Sequence, residues 1–337
     1  MRIGFNPNKD KLQVTNDFFH QLIIPVYIPN QQGYFNDSFT ILKYCLNSLF
    51  KTSHSKTYFT IVNNGSGAEV IEYLNSLYQQ GKIHELLHTT NIGKLNATLK
   101  GISGQNFPLV TITDADVLFL NNWQKETYRV FEDFPKAGAV SPVPSPKMLK
   151  HFTSTVFFEN IFSSKFKFTK TIDKQSLKMF AMSIGNDNFY KEAHLNKNLT
   201  ITKTKTTAVV GAAHFVATYR IGCFDNLKQR FSKYSLGGNS EQLLLDKPVE
   251  DKGYWRLATQ SNHAYHMGNV YEDWMTEVLS GLKQEQNEFD IPINLNDKPK
   301  IVLVPFTRFF FKILRIKSIW ELLLRYKGLT KEEAKEY

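Results

Sequence analysis

In LVTITDADVLFL an apolar run, Leu109 to Thr113, leads directly into two carboxylates, Asp114 and Asp116, separated by one small residue. At the C-terminal end of a strand, a turn can bring alternate carboxylates to bear on one hard cation. Mg²⁺ or Mn²⁺ prefers oxygen ligands and commonly completes its shell with phosphate oxygens. A divalent ion held there would neutralise a diphosphate and stabilise it as a leaving group. Such a pair can also simply cap a following helix, here one expected from about Asn122, so its position in the fold decides between the two readings.

The elements that would position the pair can be read along the chain. LIIPVYI, Leu22 to Ile28, is a short β-branched run closed by Pro29, the pattern of a buried strand. Asp37 or Ser38 can cap a helix through about Phe50, where Phe39, Leu42, Leu46, Leu49 and Phe50 recur at helical spacing. YFTIVNNGSG predicts a strand ending in a Gly-rich turn, and AEVIEYLNSLYQQG a helix stopped by Gly81. A strand near Leu86 to Thr90, a turn and helix in NIGKLNATLKGI, and the strand Leu109 to Thr113 follow. This alternation implies parallel crossovers and an α/β, Rossmann-like, mostly parallel sheet with flanking helices, whose ligands sit at the C-terminal strand ends.

From about Phe134 the alternation weakens, Pro142, Pro144 and Pro146 break the chain, and HFTSTVFFENIFSSKFKFTK is expected to be irregular. VVGAAHFVA, Val209 to Ala217, reads as one strand, Ile221 to Phe231 and about Ser240 to Lys252 as helices, and Tyr254 to Ala258 as a strand.

The 337 residues suit a single α/β core with an appended C-terminal piece, and 42% hydrophobic with 21% charged residues is globular composition. A formal charge of +10 favours an anionic partner. Cys45 and Cys223 are far apart with no ligand-like spacing, which argues against a zinc site or a disulfide framework and for a reducing compartment. No run approaches the roughly 20 apolar residues of a spanning helix and no signal peptide is visible, so a cytoplasmic location is expected.

Over Leu22 to about Ser141, and again from Val209 to about Asn269, the chain resembles the family 2 glycosyltransferases with the GT-A fold. Four motifs in order carry the resemblance: PVY at Pro25 to Tyr27, NNGS at Asn63 to Ser66, NIGK at Asn91 to Lys94, and Asp114 with Asp116. The resemblance implies an inverting hexosyltransferase of bacterial cell-envelope polysaccharide type, using a nucleotide-diphosphate sugar, with a UDP-sugar favoured. It places Pro25, Tyr27, Asn63, Asn64, Ser66, Asn91, Gly93, Lys94, Asp114 and Ala115 along the donor, and Mn²⁺ or Mg²⁺ on Asp114, Asp116 and a late histidine, best matched by His266. Asn63 or Asn64 stands where the family has an acidic residue, but an amide can still pair with a base edge.

Transfer also needs an acceptor hydroxyl deprotonated as it attacks. The family's Glu-Asp pair aligns with Glu241 and Gln242, so the pair is broken; Glu241 is the first candidate base and Asp246, about one turn on, the second. A carboxylate in a first helical turn is favoured by the helix dipole. Gly211, Ala212 and His214 are candidates for the acceptor side, with close strand packing and a core histidine as the plainer readings.

The tail VPFTRFFFKILRIKSIWELLLRYKG is expected to put Phe309, Ile313, Ile316, Trp320 and Leu323 on one helical face beside Arg308, Lys312 and Arg315, the composition of an interfacial amphipathic helix. Expected divisions are a lead at 1–21, a nucleotide-sugar-binding half at 22–141, an acceptor-binding half at 142–298 and the basic helical tail at 299–337. A glycan or lipid-linked acceptor and peripheral attachment to an anionic inner membrane face follow as expectations, and no nucleic-acid module is visible. The competing readings are a nucleotidyltransferase, or a catalytically silent GT-A-like binding protein.

Overall fold

The computed structural model describes residues 3–12, 17–225, 227, 229–285, 295, 299 and 301–337. Strands β1 (His20–Val26), β2 (Thr57–Asn64), β3 (Glu85–Thr89) and β4 (Leu109–Thr113) lie parallel in the order β3-β2-β1-β4. The crossovers are α1 (Ser38–Thr52), α2 (Ala68–Gln79) and α3 (Lys94–Ile102). Every residue of β1 is buried, as expected for a strand covered on both faces. It begins two residues before the apolar run because His20 and Gln21 are satisfied inside. His20 bonds Tyr128 and Thr111, both at 2.6 Å, and Gln21 donates to Thr60 at 2.9 Å.

The second half adds β5 (Val117–Phe119), α4 (Trp123–Asp133), β6 (Ala137–Ser141), α5 (Ser154–Asn160), β7 (Phe166–Lys170), α6 (Lys174–Ser183), α7 (Glu192–Asn196), β8 (Lys197–Lys203), β9 (Thr206–Val210) and β10 (Val216–Arg220). After a π-turn at Gln242–Asp246 come α8 (Lys247–Asp251), β11 (Trp255–Thr259), β12 (Ala264–His266) and α9 (Asp273–Gly281). The ten-stranded order is β3-β2-β1-β4-β10-β6-β11-β9-β8-β7. Only β7, β9 and β10 oppose the other strands, so the sheet is mostly parallel in strand direction.

Three expectations for the second half need correction. The run Val209 to Ala217 is two strands, because Gly211 turns with φ +104° and the chain then crosses two intervening strands to reach the β10 position. The stretch expected to be irregular forms α5 and β7, since Phe157 and Phe166 bury fully in a second core with Trp320 and Leu324. The helix expected at 221–231 is a 3₁₀ turn at Ile221–Phe224, with residues 226 and 228 outside the described set.

The tail forms α10 (Val304–Leu314), α11 (Lys317–Tyr326) and α12 (Lys331–Glu336). Its single predicted face does not exist: Trp320 and Leu323 point inward while Phe309, Ile313 and Ile316 are exposed. Extended backbone at Ile316 (φ −60°, ψ 126°) ends α10 and re-phases α11. Arg308 is not a free surface cation, since its guanidinium lies 2.6 Å from both Glu250 and Asp251 and ties α10 to α8. The expected division at 298/299 falls beside residues 296–298 and 300, which lie outside the described residues.

Candidate active site

Asp114 and Asp116 leave β4 at its C-terminal end. Asp114 N donates to Phe215 O at 2.9 Å and Met267 N donates to Asp116 O at 2.8 Å, so two distant chain segments are pinned to the acidic turn. The antiparallel ribbon of β5 and β12 pairs Val117 with His266 and so delivers the histidine beside Asp116.

Lys94 opens α3 and its ammonium lies 2.6 Å from Asp114 Oδ1 and 2.6 Å from Glu241 Oε1. Gly93 permits this approach: its φ is +89°, and a Cβ there would stand 3.0 Å from Ser235 Cα, in the loop whose carbonyl accepts from Lys94 N. Burial alone would discharge Lys94, yet Asp114 and Glu241 outweigh it and hold the ammonium above its ordinary value. Asp114 is pushed up to about 6, first by burial and then by Asp116 and Glu241, with Lys94 opposing.

Asp116 Oδ2 is 3.5 Å from His266 Nε2, and its Oδ1 is buried without a hydrogen-bond partner. Ser183 gives its one hydroxyl proton to Phe180 O at 2.8 Å, so the 2.9 Å contact with His266 Nδ1 is donated by the imidazole. A neutral His266 therefore turns a bare Nε2 lone pair toward a carboxylate. Two electron-rich groups facing each other beside an orphaned oxygen fit a cation, and a bonded outer nitrogen is how ligating histidines are oriented. Among the described residues no group of three or more His, Cys, Asp or Glu side chains converges to hold a metal ion, so the remaining ligands would come from diphosphate and water.

The expected donor residues build the surrounding turns. Asn63 Oδ1 accepts from Ser66 N at 3.0 Å, Asn64 Oδ1 from Ile92 N at 2.9 Å, and Asn91 Oδ1 from Gly93 N at 3.1 Å. Ser66 Oγ accepts from Ile28 N at 3.0 Å. Asn63, Asn64 and Ser66 are buried, as is Pro25 within β1. Tyr27 is exposed, with an edge toward Phe35. Ala115 is half-buried between the two aspartates.

On the opposite side, Asp246 is fully buried, 2.7 Å from Arg256 and 2.8 Å from His214 Nδ1. It is closed off from solvent, whereas Glu241 retains 30% of its side-chain exposure. A Cβ at Gly211 would stand 2.8 Å from the Met148 backbone, and Ala212 is buried with its carbonyl bound by Arg256. Sequence reasoning missed Arg256 and Ser183. The signal for Arg256 was present: a cation interrupting the otherwise apolar strand WRLA.

Residues 26–193 match the family model described as glycosyl transferase family 2. No curated protein matches the chain. Solved structures similar to it include TarS 1–349 of S. aureus, at 11% identity and TM-score 0.44, covering 95% of this chain and 89% of that one. A mannosyltransferase from Pyrobaculum calidifontis in complex with GDP-Man and Mn²⁺ is 14% identical with TM-score 0.45, covering 95% and 77%. GalNAc-T7 with UDP, GalNAc and Mn²⁺ is 12% identical with TM-score 0.49, covering 76% and 45%. The match to the glycosyl transferase family 2 model thus runs from the end of β1 to α7 of this mixed α/β fold.

Proposed function

We propose that this protein transfers a sugar, with inversion, from a nucleotide-diphosphate sugar to a hydroxyl of a glycan or lipid-linked acceptor, with a divalent metal on Asp116 and His266. The observation that carries the reading is the acidic turn at the end of β4, where Asp116 turns Oδ2 toward an oriented imidazole and keeps Oδ1 buried without a partner. When bound, Mn²⁺ or Mg²⁺ would supply charge neutralisation of the departing diphosphate. Lys94 adds a second positive charge on the same side, and Glu241, at 2.6 Å, holds that ammonium toward the phosphates as well as lying open to the acceptor. The turns of Asn63, Asn64, Ser66 and Asn91 shape the base and ribose end, where exposed Tyr27 offers a stacking face. A UDP-sugar is the first donor to try. Thermal stabilisation by Mn²⁺ with a panel of nucleotide sugars tests this: no metal-dependent shift with any of them would refute it.

A lipid surface as the acceptor side has its own support. Leu303, Phe306, Phe309, Ile313, Ile316, Ile319, Leu322 and Tyr326 are exposed along α10 and α11, with Lys312, Arg315, Lys317 and Arg325 exposed among them. Apolar side chains interleaved with cations suit the headgroup boundary of an anionic bilayer. Among the described residues no helix is long and apolar enough to cross a membrane.

A further inference from the structure

Sugar transfer needs a group that takes the acceptor proton, and at the position of the family's Asp this chain has Gln242, an amide that cannot do so. The neighbouring Glu241 is engaged by Lys94 at 2.6 Å. A second arrangement stands on the same short segment. Glu241 and Asp246 are five residues apart, which in an α-helix would set them about 140° apart around the axis. The segment instead closes as a π-turn, with Lys247 N donating to Gln242 O, and i→i+5 closure re-phases the two carboxylates, so that they take separate partners. One reaches Lys94 and the other His214.

Asp246 has no exposure, and its partner Arg256 has none either. Arg256 is fixed by donating to His151 O at 2.6 Å and Ala212 O at 2.8 Å, so the guanidinium and carboxylate form a rigid support. His214 rests on it through Nδ1, at 2.8 Å from Asp246 Oδ2. That nitrogen is buried while the side chain keeps 23% exposure, so the open part of the ring lies away from Asp246. The next residue, Phe215, accepts from Asp114 N, which sets His214 one residue from the acidic turn. The 2.8 and 2.7 Å contacts of Asp246 are close ion-pair approaches with imperfect hydrogen-bond angles, and such contacts commonly tighten only when substrate binds.

We infer that His214 is the general base, with Asp246 and Arg256 as the residues that position it; this rests on the glycosyl-transfer reading above. A carboxylate only accepts, so neutral His214 carries its proton on Nδ1 and presents the Nε2 lone pair to the acceptor. As the acceptor oxygen bonds to the anomeric carbon, its proton passes to Nε2. The carbon–oxygen bond to the diphosphate breaks, and its electron pair leaves with the nucleoside diphosphate. The imidazolium formed is stabilised by Asp246 and returns its proton to solvent.

Two measurements on the full chain test this. ¹⁵N imidazole spectra of the wild type at pH 8 should show the proton of His214 on Nδ1; an Nε2–H tautomer overturns the assignment, whether or not turnover can be followed. With whichever nucleotide sugar gives Mn²⁺-dependent stabilisation, release of nucleoside diphosphate to water is then compared among variants. His214→Gln should lower release by about 10²–10⁴-fold while leaving that stabilisation unchanged. Asp246→Asn should also lower release and shift the tautomer, and the double variant should be no worse than His214→Gln alone. Release within threefold of wild type in His214→Gln, with donor stabilisation intact, overturns the inference and spares the transfer reading. No metal-dependent stabilisation of the wild type by any nucleotide sugar overturns both.

Discussion

Replacing Arg256 by Met removes the charge partner of Asp246 while keeping an unbranched side chain in β11. Both residues have no side-chain exposure, and Arg256 also donates to His151 O at 2.6 Å and Ala212 O at 2.8 Å. Breaking a buried ion pair from one side costs about 3–5 kcal/mol, because the other charge stays buried without compensation. Unfolding entropy of about 2.1 cal/mol/K per residue over 337 residues gives about 0.7 kcal/mol/K, so the melting temperature should fall by about 4–7 °C. Removing both charges in Arg256→Met/Asp246→Leu should recover about 1–3 kcal/mol of this, leaving a deficit of about 2 kcal/mol, or about 3 °C, for two carbonyls that lose their donor. Thermal unfolding followed by circular dichroism, with urea titration as a check, measures both variants. A single-variant cost below about 1 kcal/mol, or a double variant less stable than the single, would refute the reasoning. If the double variant is stable yet no longer releases nucleoside diphosphate, the pair is kept for its effect on His214 rather than for stability.

Other outcomes follow from the same geometry. Asp116→Ala should abolish the Mn²⁺-dependent part of nucleotide binding by calorimetry, and Mn²⁺ affinity within threefold of wild type would count against the metal assignment. Burial holds His54 and His194 down to about 4 and His20 well below its ordinary value. Between about pH 6.5 and 4 the unfolded chain therefore binds more protons than the folded one, so stability is complete above 6.5 and is lost as pH falls. His54 alone accounts for about 3 kcal/mol of that loss, and urea midpoints that do not move between pH 7 and 5 would contradict it. Gly93→Ala forces a non-glycine residue to φ +89° with its Cβ 3.0 Å from Ser235 Cα, and should cost at least about 1–2 kcal/mol and weaken donor-dependent stabilisation by displacing Lys94. Phe309→Ser/Ile313→Ser/Ile316→Ser should lower flotation with vesicles containing phosphatidylglycerol by at least about tenfold, given about 1.5–3 kcal/mol per fully buried side chain; unchanged flotation would remove the lipid reading of the tail.

The first half of the fold was legible because each of its elements carries a local pattern. The strand at Leu109–Thr113 was placed to the residue, and α1 and α2 within about two residues, since apolar spacing and a closing glycine act within one element. The second half was not, for an equally physical reason. Its strands β6 and β9 to β11 interleave, so the partner of each is far away in sequence, and an apolar run such as VVGAAHFVA looks continuous until Gly211 turns against Met148. The tail misled in the same way: a helical wheel drawn through Arg315 and Ile316 assumes a phase that the break at Ile316 resets.

The site divides along the same line. Asp114 and Asp116 stand out as candidates in the sequence because strand, turn and carboxylates are contiguous. The contacts around them join residues far apart in the chain: Lys94 to Glu241, His266 to Ser183, and His214 to Asp246. Motif alignment therefore framed the base as a choice between Glu241 and Asp246, two carboxylates in one helix. The π-turn reframes it. By closing five residues into one turn it sends Glu241 to the ammonium on the donor side and Asp246 to an imidazole on the other. The loss of the family's aspartate at Gln242 then need not mean a silent protein. A histidine held by a buried carboxylate can take the proton, and the cost of burying Asp246 and Arg256 together is what keeps that histidine in place.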